Sequence, residues 1–264
     1  MNRIKKVLHI REKFRSGKVS VGSWMQIPDA SVAEIMGQCN YDWIAVDLEH
    51  GSISTCQLPD IFRALELGDT LPLARIAEGN ASNCKQALDA GAGGIIVPMI
   101  ESAEQLKLVR DSCCWPPTGQ RGVGFSRANL FGKYFDEYLE ESQTPLLVAM
   151  IENITAVKNL TDILQVKGLD AILIGPYDLS ASMGITAQFD NQEFKKVVNK
   201  NKSKSPIQVD GLTDMLVRFG KCCNPIPGDP ILGFITIGRG VTVHRADCDR
   251  AFEMDPDRQL DVAW

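Results

Sequence analysis

Six short apolar runs, each leading into a helical pattern, constrain the fold of this chain more than any other feature. The runs are 19–25, 43–48, 71–76, 94–99, 146–151 and 171–175. Amphipathic stretches follow them, near 29–38, 57–67, 81–90, 102–112, 154–165 and 190–200. The continuous apolar runs among them, 146–151 and 171–175, read as strands buried on both faces. Strands alternating with helices imply a parallel sheet. Right-handed crossovers then point the strands the same way and bring their carboxyl ends to one edge. A chain of 264 residues can form one α/β barrel or two smaller domains. One connection is long: 115–145 holds a Pro-Pro turn, the run Gly119-Gln120-Arg121-Gly122-Val123-Gly124 and a short helix. Connections of that size are usually functional.

The texture changes after residue 194. Lys195, Lys196, Lys200, Lys202 and Lys204 fall within ten residues free of acids, and Ser205-Pro206 follows, which reads as a solvated helix end and linker. Beyond it, 231–237 and 241–245 flank Gly238-Arg239-Gly240, the pattern of an antiparallel hairpin. The expected organisation is six βα units over 1–200, then a small β-rich (α+β) domain over 206–264. A net charge of −5 argues against a general nucleic-acid-binding surface. No apolar run reaches the length of a membrane span, and the N-terminus lacks the apolar core of a signal peptide. The eight cysteines, including the pairs Cys113-Cys114 and Cys222-Cys223, therefore read as thiols or metal ligands in a cytoplasmic protein.

The strand ends carry the chemistry. The run 146–151 leads straight into Glu152, and 171–175 leads into Pro176-Tyr177-Asp178. Two carboxylates on one sheet edge can hold a hard divalent cation with positions left open; alternatively, Asp178 caps the following helix. The second strand ends Asp47-Leu48-Glu49-His50-Gly51. Asp47 is close enough in sequence to orient the His50 imidazole as an acid–base dyad, or the histidine is simply satisfied by a local carboxylate. Arg75 ends the third strand, where burial requires an anion: a substrate oxygen, Asp47 or Glu49. Free backbone N–H groups in the helical turn after Asp178 suit a substrate carboxylate. A base, a cation and two metal ligands on one rim is how an α/β barrel builds a site. The set suits proton abstraction next to a carbonyl, with the metal and Arg75 stabilising an enolate.

Three segments, 41–51, 88–99 and 175–184, resemble the HpcH/HpaI aldolase family, and the similarity extends over roughly residues 5–195. The resemblance implies a metal-dependent class II aldolase (a lyase) on a TIM-type (β/α) barrel, joining or separating pyruvate and an aldehyde. Glu152 and Asp178 would bind Mg²⁺, Mn²⁺ or Co²⁺, and Arg75 would stabilise the enolate. His50, paired with Asp47, would activate water for proton transfer, with Glu49 behind it. Gly175 and the backbone at Asp178 would hold the 2-oxo acid carboxylate. Arg121 matches the family's Arg-Gly loop, with no role assigned. Family barrels carry two further βα units that are missing here, which would leave open sheet edges. The same units contribute to family oligomers, so a homo-oligomer is expected only with reservation.

The segments 216–229 and 238–248 resemble the zinc-finger-like module near the C-terminus of long RelA/SpoT proteins, over about 207–264. That module is regulatory and in some members touches ribosomal RNA; no alarmone synthetase or hydrolase domain accompanies it here. Cys222, Cys223, His244 and Cys248 form a four-ligand set suited to Zn²⁺. The alternative is a small β-domain whose thiols pack without metal. Lys221, Arg239, Arg245 and Arg250 give the tail modest phosphate-binding potential, diluted by nearby acids. A non-catalytic scaffold with a zinc-, RNA- or protein-binding tail is the competing functional expectation.

Overall fold

The computed structural model describes residues 3–199, 208–209, 217–220, 222–223, 225, 228–236, 240–252, 254–255 and 258–263. The chain divides into two compact units, Met1–Lys195 and Lys196–Trp264. The first unit opens with α1 (Arg3–Arg15) and β1 (Gly22–Met25). It continues through α2 (Ala30–Gly37), β2 (Trp43–Asp47), α3 (Leu58–Leu67), β3 (Leu71–Arg75), α4 (Ala81–Asp89), β4 (Gly94–Val97) and α5 (Ala103–Cys113). After a 3₁₀ turn at Arg127–Asn129 come α6 (Phe135–Gln143), β5 (Leu146–Ile151), α7 (Ile154–Lys158), α8 (Leu160–Leu164), β6 (Ala171–Ile174), α9 (Pro176–Ser182) and α10 (Gln192–Asn199). The helices start where the sequence supplies an acceptor. Asp29, Asn80, Ser102 and Asn153 cap α2, α4, α5 and α7 by accepting N–H bonds from the first turn.

The six strands form one parallel sheet in sequential order β1 to β6. Alternate residues along each strand divide between two cores. Ile44, Val46, Ala74, Ile95, Val97, Leu147 and Ala149 pack with the flanking helices. Ala45, Leu73, Ile96, Val148 and Met150 belong to the other core, which Val7 and Ile10 of α1 complete. Both α1 side chains are 1% exposed, each contributing about 2 kcal/mol by burial. Helix α1 is an element the strand–helix alternation did not predict. Its segment is dominated by Arg and Lys, and only Val7 and Ile10 reach the core. Among the described residues β1 and β6 are the sheet edges, and β6 is only partly covered, with Ile174 exposed.

The long connection is a packed annex. Trp115 is buried against Tyr138 and Phe135, at ring-centroid distances of 5.1 and 5.5 Å. Arg121 is buried beside the Trp115–Tyr138 ring pair, donates to the Tyr138 hydroxyl at 3.0 Å and pairs with Asp89 at 3.2 Å. Cys113 and Cys114 are buried at the end of α5.

In the second unit β7 (Gln208–Val209) pairs antiparallel with β12 (Val262–Ala263). A four-stranded sheet joins β8 (Val217–Phe219), β9 (Ile231–Thr236), β10 (Gly240–Arg245) and β11 (Gln259–Leu260). The expected hairpin is β9–β10, antiparallel from Ile231↔Arg245 to Thr236↔Gly240. Strand β11 adds antiparallel to β9, whereas β8 runs parallel to β10. The one-turn helix α11 (Asp249–Phe252) follows the hairpin. Lys200, Lys202, Lys204, Ser205, Pro206, Lys221 and Arg239 lie outside the described residues.

Candidate active site

Parallel register sets the geometry. Asp47 and Arg75 end β2 and β3 as paired residues, Glu152 directly follows β5, and Gly175 directly follows β6. Asp47 is fully buried and accepts five hydrogen bonds. Arg75 Nε donates to Oδ1 at 2.9 Å and Nη2 to Oδ2 at 2.5 Å. Gln26 Nε2 adds a bond of 2.7 Å, and the Glu49 and His50 amides add bonds of 3.0 and 3.2 Å. Burial pushes the Asp47 carboxyl up, but the Arg75, Gln26 and amide hydrogen bonds outweigh it and hold the group at about 2. Asp47 is therefore an anchor that stays charged at neutral pH.

This corrects the expected dyad. Asp47 takes the backbone N–H of His50 and leaves the imidazole alone. The exposed imidazole instead has Nε2 3.9 Å from Oε1 of Glu49. The physical reason is local: only Leu48 and Glu49 separate Asp47 from His50, and the chain turns so that the amides, not the ring, face the carboxylate. The anion met by Arg75 is likewise resolved, since the guanidinium pairs with both Asp47 and Glu49. The helix-cap alternative for Asp178 is not what forms: Gly175 is the N-cap of α9, and Asp178 lies in its first turn, exposed.

Glu49, Glu152 and Asp178 act on one another through their charges. Burial raises the Glu152 carboxyl, and the charges of Glu49 and Asp178 raise it further against the Met99 amide and Arg75. Burial also raises Glu49, with Asp47 and Asp178 adding to the effect and Arg75 and His50 opposing it. Oε2 of Glu49 is buried, 3.0 Å from Arg75 Nη1, yet accepts no hydrogen bond. Glu152 is 3% exposed and engages only one oxygen, Oε1, which accepts the Met99 amide at 2.7 Å. A Cβ on Gly175 would lie 2.5 Å from its other oxygen, Oε2, so glycine is what leaves that oxygen its space. Two carboxylates, the half-buried Glu49 and the buried Glu152, each with an oxygen that accepts no hydrogen bond among the described residues, fit a divalent cation with the exposed Asp178 nearby.

Three residues that sequence reasoning passed over belong to this rim: Trp24, Gln26 and Met99. The Trp24 ring centroid lies 4.8 Å from the Arg75 guanidinium carbon. Trp24 and Gln26 stand at the carboxyl end of β1, and the strand-end rule that found Arg75 applies to them equally.

Comparison with known proteins follows this geometry. Residues 20–207 match the model of the HpcH/HpaI aldolase/citrate lyase family. The chain belongs to that family. Residues 207–264 match the RelA/SpoT RIS domain, so the family segment is joined to a second, unrelated one. A hydroxypyruvate/pyruvate aldolase from Roseobacter denitrificans is 39% identical over 194 residues, 72% of this chain and 75% of that protein. A 2-keto-3-deoxy-L-rhamnonate aldolase from Escherichia coli is 35% identical over 190 residues, 71% of each chain. The crystal structure of an HpcH/HpaI aldolase/citrate lyase family protein from Burkholderia cenocepacia superposes with a TM-score of 0.68 at 26% identity, covering 73% of this chain and 78% of that one. HpcH/HpaI membership supports a lyase of the class II aldolase type. No helix among the described residues is long and apolar enough to cross a membrane.

The RIS segment holds its own cluster. The ligand atoms of Cys222, Cys223, His244 and Cys248 all lie within 4.8 Å of one another. Cys222 Sγ is 3.2 Å from His244 Nδ1 and 3.5 Å from Cys248 Sγ. His244 and Cys248 are buried, Cys223 is half-buried and Cys222 is exposed. Adjacent side chains diverge along a strand, but Cys222 and Cys223 stand in a turn, which lets both face the imidazole. Among the basic tail residues, Arg245 is committed to Asp247.

Proposed function

We propose that the first unit is a metal-dependent class II pyruvate aldolase that cleaves or forms a C–C bond between pyruvate and an aldehyde. The reading is carried by one observation: the ends of β2, β3, β5 and β6 gather Asp47–Arg75, Glu152 and Asp178 at one sheet edge, with Glu49 between the charges. Glu152 and Asp178 would hold the divalent ion, Mg²⁺, Mn²⁺ or Co²⁺, which when bound would supply Lewis acidity toward a 2-oxo acid. Gly175 and the backbone at Asp178 receive the substrate carboxylate. In cleavage, the 4-hydroxyl of the 2-oxo acid passes its proton through water to His50, the C3–C4 bond breaks, the aldehyde leaves and the electron pair remains as the pyruvate enolate. Arg75 holds the developing charge, because Asp47 and Trp24 fix its plane and orientation. His50, exposed beside Glu49, exchanges the proton with water, and C3 of the enolate is reprotonated to release pyruvate.

Enolate formation can be tested without the aldehyde. In D₂O with Mn²⁺, the pyruvate methyl signal is expected to decay with wild type and to persist with Arg75→Met. Absence of exchange by folded, metal-loaded wild type would overturn the reading.

A second reading concerns the tail, where the geometry of Cys222, Cys223, His244 and Cys248 favours a bound Zn²⁺. Purified full-length chain is expected to carry one zinc by elemental analysis, and Cys248→Ser is expected to lose it. Metal-free protein with an unchanged tail fold would favour thiol packing instead.

A further inference from the structure

We infer that Met99 is a positioning residue, whose left-handed backbone aims an amide at Glu152 and makes that carboxylate a one-oxygen donor. The inference rests on Glu152 being a metal ligand. Met99 has φ +51°, a region that side-chain-bearing residues rarely occupy and that persists only when neighbours enforce it. The enforcement is present. Gln105, on the first turn of α5, donates through Nε2 to the Met99 carbonyl at 3.1 Å and accepts the Glu101 amide through Oε1 at 2.8 Å. Asn159 then donates to the Glu101 carbonyl at 2.8 Å. Two side chains from separate elements thus pin the turn that follows β4.

The consequence falls on Glu152. The Met99 amide occupies Oε1 at 2.7 Å, and Oε2 is left facing the space above Gly175. The amide bond restrains rotation of the carboxylate and takes one lone pair of Oε1, which favours Oε2 as the donor atom before any ion arrives. Outer partners that orient a ligand in this way typically change metal affinity by about 10–100-fold when lost. The Met99 side chain is 44% exposed and contributes little packing, so its backbone, not its bulk, is what the site uses.

Two measurements on the full-length chain separate this inference from the metal reading. Without metal, the Met99 amide proton is expected downfield in an amide-resolved NMR spectrum, and to move upfield in Glu152→Ala. An unmoved amide would overturn the positioning role whatever the metal result. With Mn²⁺ alone, free ion counted by electron paramagnetic resonance, Met99→Val is expected to weaken binding about tenfold, because a β-branched residue resists positive φ. Met99→Gly, which adopts that backbone freely, is expected to stay within about threefold of wild type. Gln105→Ala, which removes the strap and spares the backbone sequence, is expected to weaken binding even if Met99→Val fails to fold. Equal loss in Met99→Gly and Met99→Val, or wild-type affinity in Gln105→Ala, would overturn the inference. A wild type that shows the amide shift but binds no Mn²⁺ would overturn the metal reading, and with it the assignment of Glu152 as a one-oxygen donor.

Discussion

Asp47 and Arg75 end neighbouring parallel strands at the same register position, and two hydrogen bonds of 2.9 and 2.5 Å lock the guanidinium fork to the carboxylate. The third nitrogen, Nη1, is left beside Glu49, and the guanidinium stands against Trp24. Lysine preserves the charge but not the fork or the stacking. Arg75→Lys is therefore expected to lower kcat/KM for pyruvate aldol cleavage by about 100-fold or more while the chain still folds. Steady-state kinetics beside a circular-dichroism spectrum checks this, and a loss below about fivefold would mean that charge alone suffices.

The pair also sets an acid limit. Asp47 is held at about 2 against an ordinary 3.8, so its folded form binds the proton less readily than its unfolded form. Its stabilisation is present above pH ~4 and is lost as the pH falls toward ~2, a contribution of about 2 kcal/mol. Wild type is expected to lose more stability across that window than Asp47→Asn. Parallel urea-denaturation curves for the two proteins would contradict the assignment.

Gly175 is a test of space. An alanine Cβ there would come 2.5 Å from Glu152 Oε2 and 2.8 Å from Glu152 Cβ, so Glu152 must shift although φ −92° suits any residue. Gly175→Ala is expected to reduce activity more than tenfold at temperatures where the variant is still fully folded. An equal fall in melting temperature and activity would show that the glycine serves packing instead.

Arg121 predicts the opposite pattern. Its buried guanidinium joins the Tyr138 hydroxyl and the Trp115 and Tyr138 rings of the annex to Asp89 at the end of α4. Arg121→Ala is expected to cost about 3 kcal/mol of stability and to leave kcat nearly unchanged below the melting transition. A selective loss of kcat would place the Arg-Gly loop in the chemistry.

Much of this was readable in the chain because parallel strands advertise themselves. The run at 146–151 is apolar throughout and leads straight into Glu152, and the run at 43–48 is broken by a single charge, Asp47, at the strand's end. Helix α1 was not readable, because two core residues in a basic segment give almost no periodic signal. The partner of His50 was misassigned because sequence proximity says nothing about whether a side chain or an amide turns toward Asp47. Trp24 and Met99 escaped for a related reason: ring stacking and a positive φ are properties of the folded rim.

The most direct measurement is pyruvate release from a 4-hydroxy-2-oxo acid, with and without Mn²⁺, in wild type and Glu152→Ala. The site as described predicts metal-dependent release by wild type and none by the variant. A well-folded wild type that releases no pyruvate in the presence of metal would contradict it, and would leave the cysteine–histidine cluster of the RIS segment as the chain's functional centre.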